Sequence, residues 1–277
     1  MKTLYGVIGD PIGHSMSPLM HNDAFQENGI DSHYQPFQVK SEDLEKAVEA
    51  LKVLGVKGFN VTIPHKRAIM PLLDEVDPLA EAIGAVNTVV RKEDRFIGCN
   101  TDGMGFIRAL EESCPFPLEN KAVLIIGAGG AARAIFYSMA SSGIGSIDIC
   151  NRTIEKGEDI IKDCPFPCTS ASLSLKQAEQ AMENYDIIVQ TTSVGMYPDI
   201  NAMPLNVTRI KEGAFISDII YNPLETNIIK TFRRLGGEGD NGIGMFVHQG
   251  ALAFELWTGI TPDSDRMKRI VQQQLGG

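Results

Sequence analysis

The hydrophobic pattern of this chain changes period repeatedly, and each change marks an element. Thr3 to Ile8 reads as a short apolar strand, Pro18 to Asn28 as a helix, and Tyr34 to Val39 as a second strand. Leu44, Ala47, Val48 and Leu51 recur at helical spacing. They predict a helix capped by Ser41, with Glu42 and Asp43 in its first turn and Gly55 at its end. Gly58 to Thr62 predicts a buried strand stopped by Pro64, after which a helix could begin. Val86 to Arg91 with Arg95 to Gly98 predicts a hairpin turning over Lys92 to Asp94. Such alternation of strands and helices implies an α/β sheet.

From Lys121 the pattern sharpens into an apolar strand Ala122 to Ile126, a glycine loop, a helix to about Ser141, a strand Ser146 to Cys150 and a helix from Thr153. Strands at Asp186 to Gln190 and Ala214 to Asp218 extend this to an open, parallel, doubly wound sheet. Two closing helices, Met245 to Trp257 and Pro262 to Leu275, lie too far beyond the last strand to be its crossover and are expected to return to the first domain. The fold class is therefore α/β: an N-terminal α/β substrate domain, residues 1–102 with 243–277, and a Rossmann-type dinucleotide domain, residues 103–242.

The loop Gly127-Ala-Gly-Gly-Ala-Ala-Arg133 places glycine where a strand must turn tightly into a helix. Gly127 permits the turn, Gly129 lets the backbone approach a pyrophosphate, and the helix from Gly130 aims its amides at the phosphates, although Ala132 stands where a third glycine is common. An acidic residue ending the second strand would accept from the ribose of NAD. This chain has Asn151-Arg152-Thr153, with Lys156 one turn on, a set suited to the extra phosphate of NADP. The plainer alternative is that Arg152 and Lys156 are solvated charges at a helix start, where a cation is mildly unfavourable.

A length of 277 residues fits two domains at roughly 100–200 residues each. The net charge of −10 disfavours nucleic acid and anionic lipid, and no apolar run approaches the ~20 residues that span a bilayer. No signal peptide is expected ahead of the first strand, and five scattered cysteines without a C-x-x-C pair suit a reducing, cytoplasmic setting. The five histidines show no metal-binding spacing.

Two polar segments lie upstream of the glycine loop, Asn60-Val-Thr-Ile-Pro-His-Lys66 and Gly98-Cys-Asn-Thr-Asp102. If a nicotinamide moves a hydride, another group must move a proton, and Lys66 with Asp102 are the candidates. An ammonium can protonate a carbonyl oxygen as charge develops there, and a neighbouring carboxylate holds and orients it. Each has a plain alternative: Lys66 as a surface lysine, Asp102 as the cap of a helix over Gly103 to Leu110.

Several motifs in order make the chain resemble the shikimate dehydrogenase family, which also includes quinate dehydrogenases, over nearly its whole length. They are Gly9-Asp-Pro-Ile-Gly-His-Ser-Met-Ser-Pro-Leu-Met-His-Asn22, the two segments above, Gly84-Ala-Val-Asn-Thr88, Asn151-Arg-Thr153, Thr192-Ser-Val-Gly-Met196, Asp218-Ile-Ile-Tyr-Asn-Pro223 and Gly242-Ile-Gly-Met-Phe-Val-His-Gln249. The resemblance implies reversible NADPH-dependent reduction of 3-dehydroshikimate to shikimate, by a monomer or homodimer. It makes Lys66 and Asp102 the catalytic pair and Ser15 and Ser17 the grip on the substrate carboxylate. Thr62, Asn87, Tyr221 and Gln249 become the other substrate contacts. It gives the phosphate loop to Gly127, Ala128, Gly129, Gly130 and Ala131. Asn151, Arg152, Thr153 and Lys156 fall to the ribose phosphate, and Ile219, Gly242 and Met245 to the nicotinamide.

Taken singly, Ser15 and Ser17 could cap the helix after Pro18, and Thr62 and Gln249 could be ordinary strand and surface residues. Structural hydrogen bonding is the expectation for His14, His21 and His65. Lys156 stands where the family often has arginine, and Phe246 where leucine is usual. A quinate or dual-specificity enzyme and a nucleotide-sensing regulator remain the rival readings. Ser17 speaks mildly against the first, and the presence of both Lys66 and Asp102 against the second.

Overall fold

The computed structural model describes residues 2–276. The chain divides into two compact units, one holding the residues up to Gly105 and those from Val247 onward, the other Phe106–Phe246.

The first unit opens with β1 (Thr3–Gly9), α1 (Ser17–Glu27), β2 (Ser32–Gln38), α2 (Leu44–Val53) and β3 (Gly58–Val61). It continues with β4 (Glu75–Val76), α3 (Pro78–Ile83), β5 (Thr88–Lys92), β6 (Arg95–Cys99) and the start of α4 (Asp102–Ser113). Its six strands form one mixed sheet in the order β2-β1-β3-β5-β6-β4, with β1 parallel to β2 and β3, and β5 antiparallel to β3 and β6. The hairpin closes on the pair Lys92 and Arg95, one residue later than the pattern predicts, because Glu93 adopts a left-handed φ of 55° and leaves only a two-residue turn.

Ser41 does not cap α2. It begins a 3₁₀ turn, Ser41–Asp43, closed by Asp43 N–H donating to the Lys40 carbonyl at 3.0 Å, and α2 starts only at Leu44 because the Asp43 backbone, φ −105° and ψ 2°, is not helical. Gly55 does end the helix, with φ +74° and the Val56 amide reaching back to Leu51 at 3.1 Å. Helix α3, absent from the pattern reading, begins where Asp77 Oδ1 accepts from Leu79 and Ala80 amides, with Pro78 in the first turn.

The second unit runs β7 (Ala122–Ile126), α5 (Gly130–Ser141), β8 (Ser146–Cys150), α6 (Ile154–Asp163), β9 (Ser172–Leu173), α7 (Leu175–Ala181), β10 (Ile187–Gln190), β11 (Phe215–Asp218), α8 (Asn227–Arg234) and β12 (Glu238–Asp240). All strands are parallel, in the order β12-β11-β10-β7-β8-β9. This is the doubly wound arrangement, and its order reverses between β7 and β10, where such sheets bind ligands beyond the carboxyl ends of their strands. The central strands are apolar on both faces, as burial under helices requires: Val123, Leu124, Ile125, Ile187, Ile188 and Val189 expose nothing.

The chain closes with α9 (Ile243–Thr258) and α10 (Ser264–Gln274). These return to the first unit, where Arg266 on α10 forks onto Asp23 of α1 at 2.6 and 2.9 Å. Strand alternation then sorts that unit's core into two layers. Ile8, Phe59, Val61, Val89 and Phe96 meet Leu44, Val48 and Leu51 of α2 in one cluster. The intervening β3 residues Gly58 and Asn60 meet an aromatic layer of Tyr5, His21, Phe25, Tyr34, Phe254 and Trp257. Trp257 donates its indole N–H to Val89 O at 3.0 Å, and Gly58 is glycine because a Cβ there would stand 2.3 Å from the indole ring. Among the described residues no helix is long and apolar enough to cross a membrane.

Candidate functional site

Lys66 Nζ donates to Asp102 Oδ2 at 2.7 Å, with the lysine side chain 32% and the aspartate 16% exposed. No helix starts after Pro64. The segment is a run of turns in which the His65 amide returns to Thr62 O at 2.9 Å and Lys66 O accepts from Val86 N at 2.8 Å. His65 also donates its ring Nε2–H to Val39 O at 2.6 Å, the structural bond expected of it.

Asp102 is the first residue of α4 rather than its cap, and both carboxylate oxygens are taken by side chains: Oδ2 by Lys66 and Oδ1 by Asn87 Nδ2 at 2.8 Å. The turn leading to it is bound to the strand beside it. Asn87 Oδ1 accepts from the Thr101 amide at 2.8 Å, Asn100 Nδ2 donates to Ala85 O at 2.8 Å, and Asn100 Oδ1 accepts from the Asp102 amide at 3.1 Å. Asn100 and Thr101, to which the pattern reading assigns no role, fix this turn, and the buried Asn60 and Thr88 lie behind Asn87.

Ser15 and Ser17 stand at the N-terminus of α1, where no side chain caps the helix and no acidic residue occupies the first turn. Instead of capping, Ser15 Oγ accepts from the Ser17 amide at 3.3 Å. An uncapped helix start with two hydroxyls suits an anion. Thr62 packs its methyl toward Gly9 while its amide donates to Ile8 O at 3.0 Å. Gln249, on α9, lies where a Cβ on Gly105 would come within 2.5 Å of its backbone nitrogen. These residues belong to the first unit. Tyr221 belongs to the second, with its ring 5.6 Å from that of Phe246 and its phenol pushed above the usual range by burial.

The cofactor candidates all fall in the second unit. Gly127 ends β7 with φ +109°, and a Cβ there would lie 2.7 Å from Thr191 Oγ1 at the end of β10. Gly129 caps α5 without a side chain, and a Cβ on Gly129 or Gly130 would project into open space. Ala128 and Ala131 flank them, while Ala132 is fully buried in the helix–sheet contact usually given to a third glycine. At the end of β8, Asn151 Nδ2 donates to Thr153 O at 2.9 Å, and Arg152, Thr153 and Lys156 are exposed; neither cation has an ion pair among the described residues. A bare glycine cradle at a helix start with two such cations beside it fits the phosphates of a dinucleotide, including a 2′-phosphate.

Beyond β11, the Gly242 amide donates to Ile220 O at 3.0 Å. A Cβ on Gly242 would collide with Ile219 O, so only glycine permits that approach. Ile219, whose backbone meets Gly242, and Met245, three residues beyond Gly242, are half-buried. Asp218 is fully buried and holds this loop by accepting from Ile220 N at 3.0 Å and Thr226 Oγ1 at 2.6 Å. Burial pushes its carboxyl up to about 6.

His21 departs from expectation. It is fully buried, yet neither ring nitrogen has a hydrogen-bond partner among the described residues; it stacks on Tyr34 at 4.5 Å, and burial pushes it down to about 3. Burial likewise pushes the thiols of Cys99 and Cys150 up to about 12, which removes them as nucleophiles.

Comparison with known proteins gives a consistent result. Residues 7–89 match a family model described as a shikimate dehydrogenase substrate binding domain. Residues 110–220 match one described as shikimate / quinate 5-dehydrogenase, and 242–272 one described as a shikimate 5'-dehydrogenase C-terminal domain. The NADP(+) shikimate dehydrogenase of Bacillus cereus strain AH187 is 55% identical over 277 residues, covering 100% of both chains. The shikimate 5-dehydrogenase of Listeria monocytogenes, solved with shikimate and NAD, superposes with a TM-score of 0.93 at 34% identity, over 98% of this chain and 96% of that one. The shikimate 5-dehydrogenase of Thermus thermophilus, solved with NADP(H) and shikimate, gives 0.88 at 32% identity over 98% and 99%.

Proposed function

This chain belongs to the shikimate dehydrogenase family, and on that premise we propose that it is an NADP-dependent oxidoreductase reducing 3-dehydroshikimate reversibly to shikimate, a step in aromatic amino acid biosynthesis. The observation that carries the reading is the Lys66–Asp102 pair at 2.7 Å, a proton donor held by a carboxylate on a half-exposed turn.

NADPH, when bound, supplies the hydride that the carbonyl carbon takes up. Lys66 Nζ gives a proton to the oxygen that becomes the alcohol and takes it back in oxidation. Asp102 keeps that ammonium aimed, and Asn87 holds the second oxygen of Asp102 so that the carboxylate does not rotate. Ser15 and Ser17, with the start of α1, receive the substrate carboxylate, while Thr62, Asn87, Tyr221 and Gln249 offer neutral donors and acceptors to its hydroxyls. A site built to pair each hydroxyl disfavours an analogue that leaves one of its groups unpaired.

For the cofactor, the backbone of Gly127, Ala128, Gly129, Gly130 and Ala131 would hold the pyrophosphate. Asn151, Arg152, Thr153 and Lys156 would hold the adenosine ribose and its phosphate, and Ile219, Gly242 and Met245 would border the nicotinamide. The same reading includes a cytoplasmic enzyme acting as monomer or homodimer, and the acidic charge of −10 disfavours nucleic acid and lipid partners.

Initial rates with shikimate and quinate crossed against NADP and NAD test the proposal. Turnover confined to shikimate with NADP is the expected outcome. Equal rates with quinate or NAD would make the chain a dual-specificity member, and NADP binding without turnover would make it a sensor.

A further inference from the structure

We propose that Tyr34 is a positioning residue for this site: its phenolic hydroxyl, acting through Asn60 and Thr88, holds the Asn87 amide in the orientation that presents the Asp102 carboxylate to Lys66. This extension rests on the functional reading above for its kinetic consequence, but not for its geometry.

The argument is one of hydrogen-bond direction. Tyr34 Oη–H donates to Asn60 Oδ1 at 2.7 Å, which makes that atom an acceptor and turns the Asn60 amide nitrogen the other way. Asn60 Nδ2 then donates to Thr88 Oγ1 at 3.0 Å and to Asn87 O at 3.2 Å. Asn60 and Thr88 face each other in the antiparallel β3–β5 ladder, so their side chains leave the sheet on one face. With its oxygen accepting, Thr88 has one hydrogen left, which Asn87 Oδ1 takes at 3.0 Å; the Thr101 hydroxyl lies beside this link, 3.1 Å from Thr88 Oγ1 and bonded to both ends of the Asn87 amide at 3.0 and 3.2 Å. Asn87 Oδ1, an acceptor from Thr88 and from the Thr101 amide, leaves Asn87 Nδ2 facing Asp102 Oδ1 at 2.8 Å. Five side chains thus share one sense of donation, ending on the carboxylate that holds Lys66.

The links from Tyr34 to Asn87 are shielded from water, which strengthens each bond and raises the cost of reversing one, and only the last, onto Asp102, is partly exposed. Tyr34 is 1%, Thr88 0% and Asn87 2% exposed. The head of the chain is itself fixed. Tyr34 exchanges two backbone bonds with the Asn22 side chain, at 2.8 and 2.9 Å, and its ring lies on His21. Burial keeps its phenol protonated, and so always a donor. Without that hydroxyl, Asn60 Oδ1 loses its donor and Asn60 is held only by the two bonds of its amide nitrogen. The Asn60–Thr88 link that orients the Thr88 hydroxyl toward Asn87 then loosens, and Asn87 relies on its bonds to Thr101.

The test compares Tyr34→Phe and Thr88→Val with the unmodified protein, reading kcat and KM for shikimate with NADP and the hydrogen exchange of the Asn87 side-chain amide by NMR. Both variants should lower kcat about three- to tenfold and speed Asn87 amide exchange about tenfold or more. A merely structural role would lower the melting midpoint and move neither readout. Either kcat within twofold of the unmodified protein in both variants, or unchanged exchange of the Asn87 amide, overturns the proposal. If the unmodified protein does not oxidise shikimate, the functional reading fails by itself, and the exchange measurement alone then decides the positioning role. Thr88→Val interrupts the same chain at a second point, should Tyr34→Phe fold poorly.

Discussion

Asp102 grips Lys66 with one carboxylate oxygen, at 2.7 Å, and gives the other to a neutral amide, so the carboxylate is held at both oxygens. The carboxylate therefore gives the ammonium a fixed anchor, and its two remaining hydrogens are available to a substrate oxygen. Lys66→Ala should lower kcat about 10²- to 10⁴-fold while leaving the melting midpoint near that of the parent. Near-normal turnover with weakened shikimate binding would show that Lys66 is a binding group and not an obligate acid–base group.

Arg152 is exposed at the end of β8, beside the start of α6, with no ion pair among the described residues. A cation there is disfavoured by the helix dipole unless an anion joins it, and a bidentate guanidinium suits phosphate. Arg152→Ala is expected to raise KM for NADP by roughly 10- to 100-fold and to change KM for NAD by less than about threefold. Equal losses with both cofactors would count against a phosphate contact.

His21 has a sharp consequence for acid stability. Burial holds its folded-state pKa near 3, far below the usual 6.5, so below pH 6.5 the unfolded chain binds a proton that the folded one refuses. The stability associated with a neutral His21 is complete above pH 6.5 and is lost as pH falls from there toward 3. His21→Phe keeps an aromatic ring in the layer and removes this loss. Comparing denaturant midpoints at pH 7 and pH 5, the parent should lose about 2 kcal/mol more than the variant.

Asp218 runs the opposite way. Its folded pKa is raised to about 6 from 3.8, so the folded state takes up a proton more readily than the unfolded chain. Its ionised form is a burden present above pH 6 and relieved as pH falls from 6 toward 3.8. Asp218→Asn should therefore become less destabilising, relative to the parent, as pH is raised from 4 to 6, and constant beyond. A ΔΔG flat across that window, from urea titrations at each pH, would mean that burial does not raise the Asp218 carboxyl above its unfolded value.

The parts of the fold legible in the sequence were those where one local requirement dominates. The β7 run is apolar at every position because both faces are buried, and Gly127 must be glycine at φ +109°, so strand, turn and helix announce themselves together. Lys66 and Asp102 stood out because a hydride transfer needs a proton-moving group and they are the charged residues of two polar segments upstream of the glycine loop. The remainder depended on register. Asn60 and Thr88 have no visible role in the sequence until pairing sets them opposite each other under an aromatic layer. Tyr34 looks like an ordinary strand aromatic until its hydroxyl finds Asn60. The Ser41 signal failed because a 3₁₀ turn over Ser41–Asp43 takes the place of a capped helix start, and Asp102 did not cap α4 because Lys66 and Asn87, distant in sequence, claimed its carboxylate.

Trp257 is the chain's one tryptophan, and it lies in the first unit with its N–H bound to Val89 and its ring against Gly58. The protein is therefore optically labelled at the layer where Tyr34 and His21 sit, and in the second unit not at all. Indole emission follows the melting of the substrate unit alone, whereas far-ultraviolet circular dichroism sums both, so a gap between the two curves would reveal units that unfold separately.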